Sequence, residues 1–213
     1  MLKVAARLRA GEAVTDGEFD QVFVPDVEAI SFRHWTPVWV ARRAAELLVH
    51  AGATEILDVG AGPGKFCIVG ALTTAARFAG VEQRGGLVEQ ARQAAGKLGA
   101  ARVRFVHSNL VDFDCSQFNG FYFYNPFQEH IEGDDLFPID QALERSPMLH
   151  RMYIACALAA LVRAPAATAV VTFHGLGGPM PSQYRQVYSE RTFGGDLALW
   201  IRRDHVVATP PRP

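Results

Sequence analysis

Ile56-Leu57-Asp58-Val59-Gly60-Ala61-Gly62-Pro63-Gly64 is the stretch that decides the fold. Apolar residues lead into a carboxylate, glycines follow at every second position, and Phe66-Cys67-Ile68-Val69 resumes the apolar run. That order reads as strand, tight turn, helix. Without Cβ atoms the backbone turns sharply and lets a ligand approach, and the helix start beyond offers free N–H groups. Such a turn serves a pyrophosphate or a zwitterionic amino acid.

The spacing separates the two ligands. A dinucleotide fingerprint wants G-x-G-x-x-G, but the sixth position from Gly60 is Lys65, and the third glycine, Gly64, arrives one residue early. A carboxylate at Asp58 repels a pyrophosphate and attracts an ammonium group, directly or through water. Both features weigh against the alternative of an NAD(P)-dependent oxidoreductase of Rossmann type.

Upstream, Val38, Val40, Ala41, Ala44, Ala45, Leu47 and Leu48 form a helical stripe, opened by Thr36-Pro37 as an N-cap and N1 pair and ended by Gly52. Residues 1–30 are mixed, with weak periodicity, and read as a lid or helical extension rather than a domain. Downstream the pattern alternates: helix Lys65 to Ala75, strand Phe78 to Glu82, helix Gly86 to Leu98, strand Val103 to Val106. An aromatic strand, Phe118 to Tyr124, stops at Asn125-Pro126, because proline cannot donate to a central ladder. A long helix from Arg145 to Val162 and a strand from Thr168 to Phe173 follow. Tyr184 and Tyr188, four apart, read as a packed helix face; Ser189 to Phe193 and Asp196 to Arg202 read as strands joined across Gly194-Gly195.

Strands alternating with helices through right-handed crossovers predict an α/β fold: a doubly wound, mostly parallel seven-strand sheet with a C-terminal antiparallel hairpin and helices on both faces. Ligands lie at the carboxyl ends of such strands. The main domain is expected over residues 31–205, with 206–213 as a disordered tail.

Composition narrows the partners. The chain has 213 residues, enough for a single α/β domain. Twenty-one Lys and Arg against 22 Asp and Glu leave a formal charge of -1, so no basic footprint for a phosphate backbone exists and nucleic acid is disfavoured. Cys67, Cys115 and Cys156 show no CxxC spacing, so no metal site is expected and the thiols are read as reduced and buried. Neither a secretory signal nor an apolar run of membrane-spanning length is present, which makes the cytoplasm the expected compartment and a membrane role unexpected. Oligomeric state is not written in the sequence.

From Ile56 to Gly64 the chain resembles the first motif of class I S-adenosylmethionine-dependent methyltransferases, and the likeness runs from about Trp35 to Arg202. It implies S-adenosyl-L-methionine as cofactor, held by Asp58, Gly60, Ala61, Gly62 and Gly64, with Thr36 near its methionine end. It further implies an acid ending the second strand for the ribose hydroxyls. Phe78-Ala79-Gly80-Val81-Glu82 supplies Glu82, followed by Gln83. A carboxylate accepts two hydroxyl hydrogen bonds at once. The polar residue after the third strand, which contacts the adenine amino group, would be Asn109 beside Leu110, with Asp112 as rival by position.

Tyr122-Phe123-Tyr124-Asn125-Pro126-Phe127 resembles the N-P-P-Y motif of methyltransferases acting on amino nitrogen, with Phe127 in place of the second proline. It also resembles the same strand end in lysine methyltransferases of the Dot-one-like type. Tyr124, Asn125 and Pro126 are thus the candidate catalytic residues. The acceptor implied is a small molecule or protein side chain, and the N-P-P-Y likeness points to an amino nitrogen as its accepting atom. Methyl transfer needs alignment and exclusion of water more than covalent help, where good orientation is worth on the order of 7–11 kcal/mol. If the acceptor arrives protonated, His130, Glu129, His174 and Tyr124 are the bases in reach. A protein that keeps the cofactor but has lost catalysis is the second alternative.

Overall fold

The computed structural model describes residues 1–131, 139, 143–192 and 194–203. Its helices are α1 (Leu2–Arg9), α2 (Asp16–Asp20), α3 (Pro25–Ala29), α4 (Ser31–His34), α5 (Val38–His50), α6 (Lys65–Thr73), α7 (Gly85–Leu98) and α8 (Pro147–Arg163). The strands are β1 (Glu55–Val59), β2 (Arg77–Glu82), β3 (Val103–His107), β4 (Gly120–Tyr124), β5 (Ala169–Phe173), β6 (Tyr184–Thr192) and β7 (Gly195–Arg202). Among the described residues these seven strands form one sheet, ordered β3-β2-β1-β4-β5-β7-β6. The first five run parallel, while β7 is antiparallel to both β5 and β6. The expected fold class is thereby met, hairpin included. The expected tail, 206–213, lies outside the described residues.

Alternation along the strands sorts the core into two layers. Ile56, Phe78, Phe105, Tyr122, Val171 and Leu199 face one side, under α1, α5, α6 and α7. Leu57, Ala79, Val81, Phe121, Phe123 and Val170 face the other, under α8. Period-2 side-chain direction is what gives a two-sided parallel sheet its near-continuous apolar strands. On the first side Tyr122 stacks on Phe66 of α6, with ring centroids 3.9 Å apart.

The N-terminal segment is helical, and it enters the same core: Val4, Ala5, Leu8, Val14 and Phe19 are buried with the sheet residues. A capping box between Thr15 and Glu18 opens α2. Lys65, at the first position of α6, is only 2% exposed and places Nζ 2.6 Å from Asp16 and 2.7 Å from Asp20. An ammonium buried beside the glycine turn thus ties α2 to it.

Two local expectations are corrected. Thr36 does not cap α5; Pro37 holds the N-cap position, and the Val38 N–H is taken by Asp16 Oδ1 at 2.8 Å. Tyr184 and Tyr188 lie on β6, not on a helix. A register shift between Gln186 and Tyr188 puts them on opposite faces, Tyr184 packed toward α8 and Tyr188 toward α5. Their hydroxyls follow: Tyr184 donates to the Leu161 carbonyl, and Tyr188 accepts from Arg43. Of the cysteines, Cys67 is buried and Cys115 and Cys156 are half-buried; all three are free thiols. No described helix is long and apolar enough to cross a membrane.

Candidate active site

One cavity of about 380 Å³ runs along the carboxyl ends of β2, β1 and β4, a size that suits a small-molecule cofactor. Gly60, Gly62, Glu82, Gln83, Asn109, Leu110, Tyr124, Asn125 and Pro126 all line it. A second cavity of about 30 Å³, room for one water or an ammonium group, is bounded by Thr36, Asp58 and Ala61 and shares Gly60 and Tyr124 with the first. Gly64 borders neither. A Cβ there would lie 2.4 Å from the Phe105 ring, so this glycine, at φ +81°, serves helix-to-sheet packing.

The glycine turn does not offer its N–H groups to a ligand. Gly60 and Ala61 both donate to the Val81 carbonyl, at 3.0 and 3.1 Å, and Gly64 donates to the Ala61 carbonyl. Gly62 donates to Glu82 Oε2 at 3.0 Å. The backbone of the turn is spent on joining β1 to β2 and on seating Glu82. Gly62 also carries a steric demand. At φ +53° its missing Cβ would stand 2.8 Å from Trp35 Cζ3, so a side chain there displaces the indole that walls both cavities.

Glu82 is almost fully buried. One oxygen accepts from Gly62, the other from the Arg84 N–H at 2.9 Å, and a carboxylate retains lone pairs beyond these two. Burial pushes its pKa up, against the pull of the Arg84 and Gly62 hydrogen bonds and the Arg84 charge. The Arg84 guanidinium goes on to pair with Glu129, which consumes one expected base. Asp58, fully enclosed with Cys67 Sγ at 3.7 Å as its hydrogen-bond donor, has its pKa pushed up to about 8, mainly by burial.

At the adenine end expected from the sequence, Asn109 lines the cavity while Asp112 is exposed on a short 3-10 turn. Asn109, however, is already engaged: Oδ1 accepts from the Val111 N–H at 3.2 Å, and Nδ2 donates to the Tyr153 hydroxyl at 2.7 Å. Tyr153 and Arg84 are wall residues whose roles sequence reading missed. Arg84 was findable two residues after the strand-ending acid; Tyr153 was not, since it arrives from α8 with no local motif.

The opposite end is differently built. Tyr124, Asn125 and His174 line it, and among the described residues no hydrogen bond uses their side chains. Asn125, at φ 42°, and His174, at φ 61°, hold left-handed backbones that β-ending residues rarely adopt. The Asn125 N–H donates to the Gly175 carbonyl at 3.3 Å, tying the ends of β4 and β5 together. Tyr124 stacks on His174, centroids 5.6 Å apart, and burial pushes the Tyr124 pKa up. His130 instead lies buried beneath Tyr153, with its pKa pushed down by burial, and does not face the cavity.

Comparison with known proteins bears on this arrangement. Residues 50–128, which hold the glycine turn, Glu82, Asn109 and Asn125, match the family described as a methyltransferase domain. No curated protein matches the chain. Among solved structures, an RNA methyltransferase from Salinibacter ruber in complex with S-adenosyl-L-homocysteine superposes with a TM-score of 0.55 at 22% identity, covering 82% of this chain and 97% of that one. The O-methyltransferase from Bacillus cereus in complex with S-adenosylhomocysteine gives 0.62 at 13% identity, with 94% and 97% covered. The ribosomal protein L11 methylase from Lactobacillus delbrueckii gives 0.53 at 11%, with 78% of each chain covered. These likenesses establish the fold and leave the acceptor open. Residues 50–128 are thus similar to a methyltransferase domain, carried on a seven-strand sheet of the order β3-β2-β1-β4-β5-β7-β6.

Proposed function

We propose that the enzyme methylates a small molecule or a protein side chain whose accepting atom, an amino nitrogen in the reading favoured here, is placed by Tyr124, Asn125 and Pro126. The observation that carries this is the division of the cavity. At the β2 and β3 ends the polar side chains are bonded within the protein, Glu82 to backbone N–H groups and Asn109 to Tyr153, as a preformed cofactor site requires; at the β4 and β5 ends no hydrogen bond among the described residues uses the side chains of Tyr124, Asn125 and His174. Unspent donors and acceptors at one end are what an incoming polar group needs.

Glu82 keeps lone pairs for two ribose hydroxyls, and the 30 Å³ space beside Asp58 and Thr36 fits an ammonium group or the water that bridges to one. S-adenosylmethionine, when bound, supplies an electrophilic methyl on a sulfonium. The residues of this chain hold and align: Asn125 can accept from an amine N–H, and the half-buried β4 end limits the water that reaches the transfer.

Paired substitutions test the assignment. Glu82→Ala removes one or two hydrogen bonds to a charged group, each worth roughly 1.5–3 kcal/mol, so S-adenosylhomocysteine affinity should fall from about tenfold to several thousandfold. Asn125→Ala should leave that affinity within about threefold and lower turnover by on the order of a hundredfold through lost alignment. Calorimetry showing equal losses in the two variants would move Asn125 into the cofactor site and overturn the acceptor assignment.

A further inference from the structure

An amine that accepts a methyl group must first lose a proton, because the alkylammonium present at neutral pH has no lone pair. Glu129 is paired with Arg84, and Glu82 accepts from two backbone N–H groups. His130 lies beneath Tyr153, away from the cavity, and His34 borders the small space beside Asp58. Burial pushes the Tyr124 pKa up, which leaves its phenol a donor. His174 lines the cavity with Tyr124 and Asn125, and among the described residues no hydrogen bond uses its imidazole. The fold builds a seat for that ring. His174 follows β5 with φ 61°, and its N–H donates to the Asp196 carbonyl of β7 at 3.2 Å. Tyr124 stacks on the ring, centroids 5.6 Å apart, and Phe173 tilts against it at 4.4 Å. Gly195 closes over it: a Cβ there would overlap Cε1 and lie 2.5 Å from Nε2, and its φ of +144° is one that only glycine adopts readily. Two left-handed backbones, one on each strand of the β5–β7 pair, thus fix an imidazole whose nitrogens are unspent.

We propose that His174 is a catalytic residue, the group that takes the proton from the acceptor's ammonium, and that Gly195 is a positioning residue that holds the imidazole at the transfer end. This rests on the amine acceptor proposed above. With the proton on the imidazole, the freed nitrogen pair forms the N–C bond as the C–S bond breaks. The bonding pair leaves with sulfur, so the sulfonium becomes a neutral thioether and the methylated nitrogen takes the positive charge. The ring is exposed and returns its proton to solvent.

Sinefungin tests this without an acceptor, because an amino-bearing carbon replaces the methylsulfonium and carries an ammonium to the place of transfer. Calorimetry would compare it with S-adenosylhomocysteine at about pH 5 and about pH 8, the range over which imidazoles titrate. Asp58 and Glu82 meet parts that the two ligands share and cancel in the ratio, while Arg33 and the Arg84–Glu129 pair are common to every variant. In the wild-type protein the preference for sinefungin should rise about tenfold or more with pH, since the neutral ring accepts from the ammonium and the imidazolium repels it. His174→Asn, whose side chain tolerates the left-handed backbone, should flatten that rise and keep S-adenosylhomocysteine affinity within about threefold. Gly195→Ala should diminish the rise severalfold, and His34→Gln should preserve it. A flat wild-type profile, or a rise that survives in His174→Asn, overturns the proposal; a rise retained in Gly195→Ala overturns its positioning role. Asn125→Ala reads the acceptor end separately: if sinefungin affinity is unchanged at both pH values, that end is misassigned, whatever His174 does.

Discussion

At Asp58 the fold encloses a carboxyl group next to an apolar helix, with a thiol as its hydrogen-bond donor. Its pKa rises from 3.8 to about 8, chiefly through burial, so the folded protein holds a proton that the unfolded chain releases. The stability contributed by that proton is fully present below about pH 4, declines as pH rises toward 8 and is gone above it. A cationic amino group arriving in the adjoining space reverses the preference and expels the proton. S-adenosylhomocysteine binding at pH 7 should then release roughly half to one proton, measured as the dependence of calorimetric heat on buffer ionisation enthalpy. In Asp58→Asn the release should vanish. Binding without proton release in the wild-type protein would show that the ligand's amino group lies elsewhere.

Between elements, the most consequential tie is the one from α2 to the start of α6. Lys65 and Asp20 are 2% and 7% exposed, whereas Asp16 keeps 45% of its side chain in water. Removing the ammonium leaves Asp20 as an uncompensated buried charge, a change that costs about 3–5 kcal/mol, while Asp16 can turn to solvent. Urea melts of Lys65→Met should show that loss, and the double variant with Asp20→Leu should recover most of it. A loss below about 1 kcal/mol in the single variant would show that this tie contributes little to stability. The sequence gives no hint of this tie. Helices of four or five residues lack a full period of apolar residues, and what holds them is a cation some 45 positions away. By contrast, the helix and strand pattern from Thr36 to Phe173 was legible almost throughout, because each element there buries a face long enough to impose its own period. Tyr184 and Tyr188 failed for a different reason. A separation of four residues is same-face in a helix and in a regular strand alike, and only the register shift within β6, invisible to any pattern, puts the rings on opposite sides. The site divides in the same manner: glycines, Glu82 and Asn125 sit at strand ends where motif and topology coincide, while Tyr153 reaches the cavity from an element remote in sequence.

For the molecule as a whole, the cavity proposed for the cofactor spans the ends of β2, β1 and β4, so a ligand there braces the middle of the sheet. A ligand that binds only the folded protein stabilises it by mass action, about 2.7 kcal/mol at a hundred times its Kd, which for a domain of this size is roughly 5–10 °C in Tm. S-adenosylmethionine and S-adenosylhomocysteine should each produce that shift. NAD should not, since the turn's N–H groups are committed to Val81, Ala61 and Glu82 and offer no cradle for a pyrophosphate. Equal stabilisation by NAD at matched concentration would overturn the cofactor assignment. The order of the strands has a further consequence, one that belongs to synthesis. Among the described strands β7 comes latest in the chain, yet it is not at the rim: it lies between β5 and β6. While the ribosome is still translating residues 195–202, β5 presents a bare apolar edge and β6 has no sheet to join, so the nascent chain carries an unsealed, aggregation-prone seam until β7 slides in.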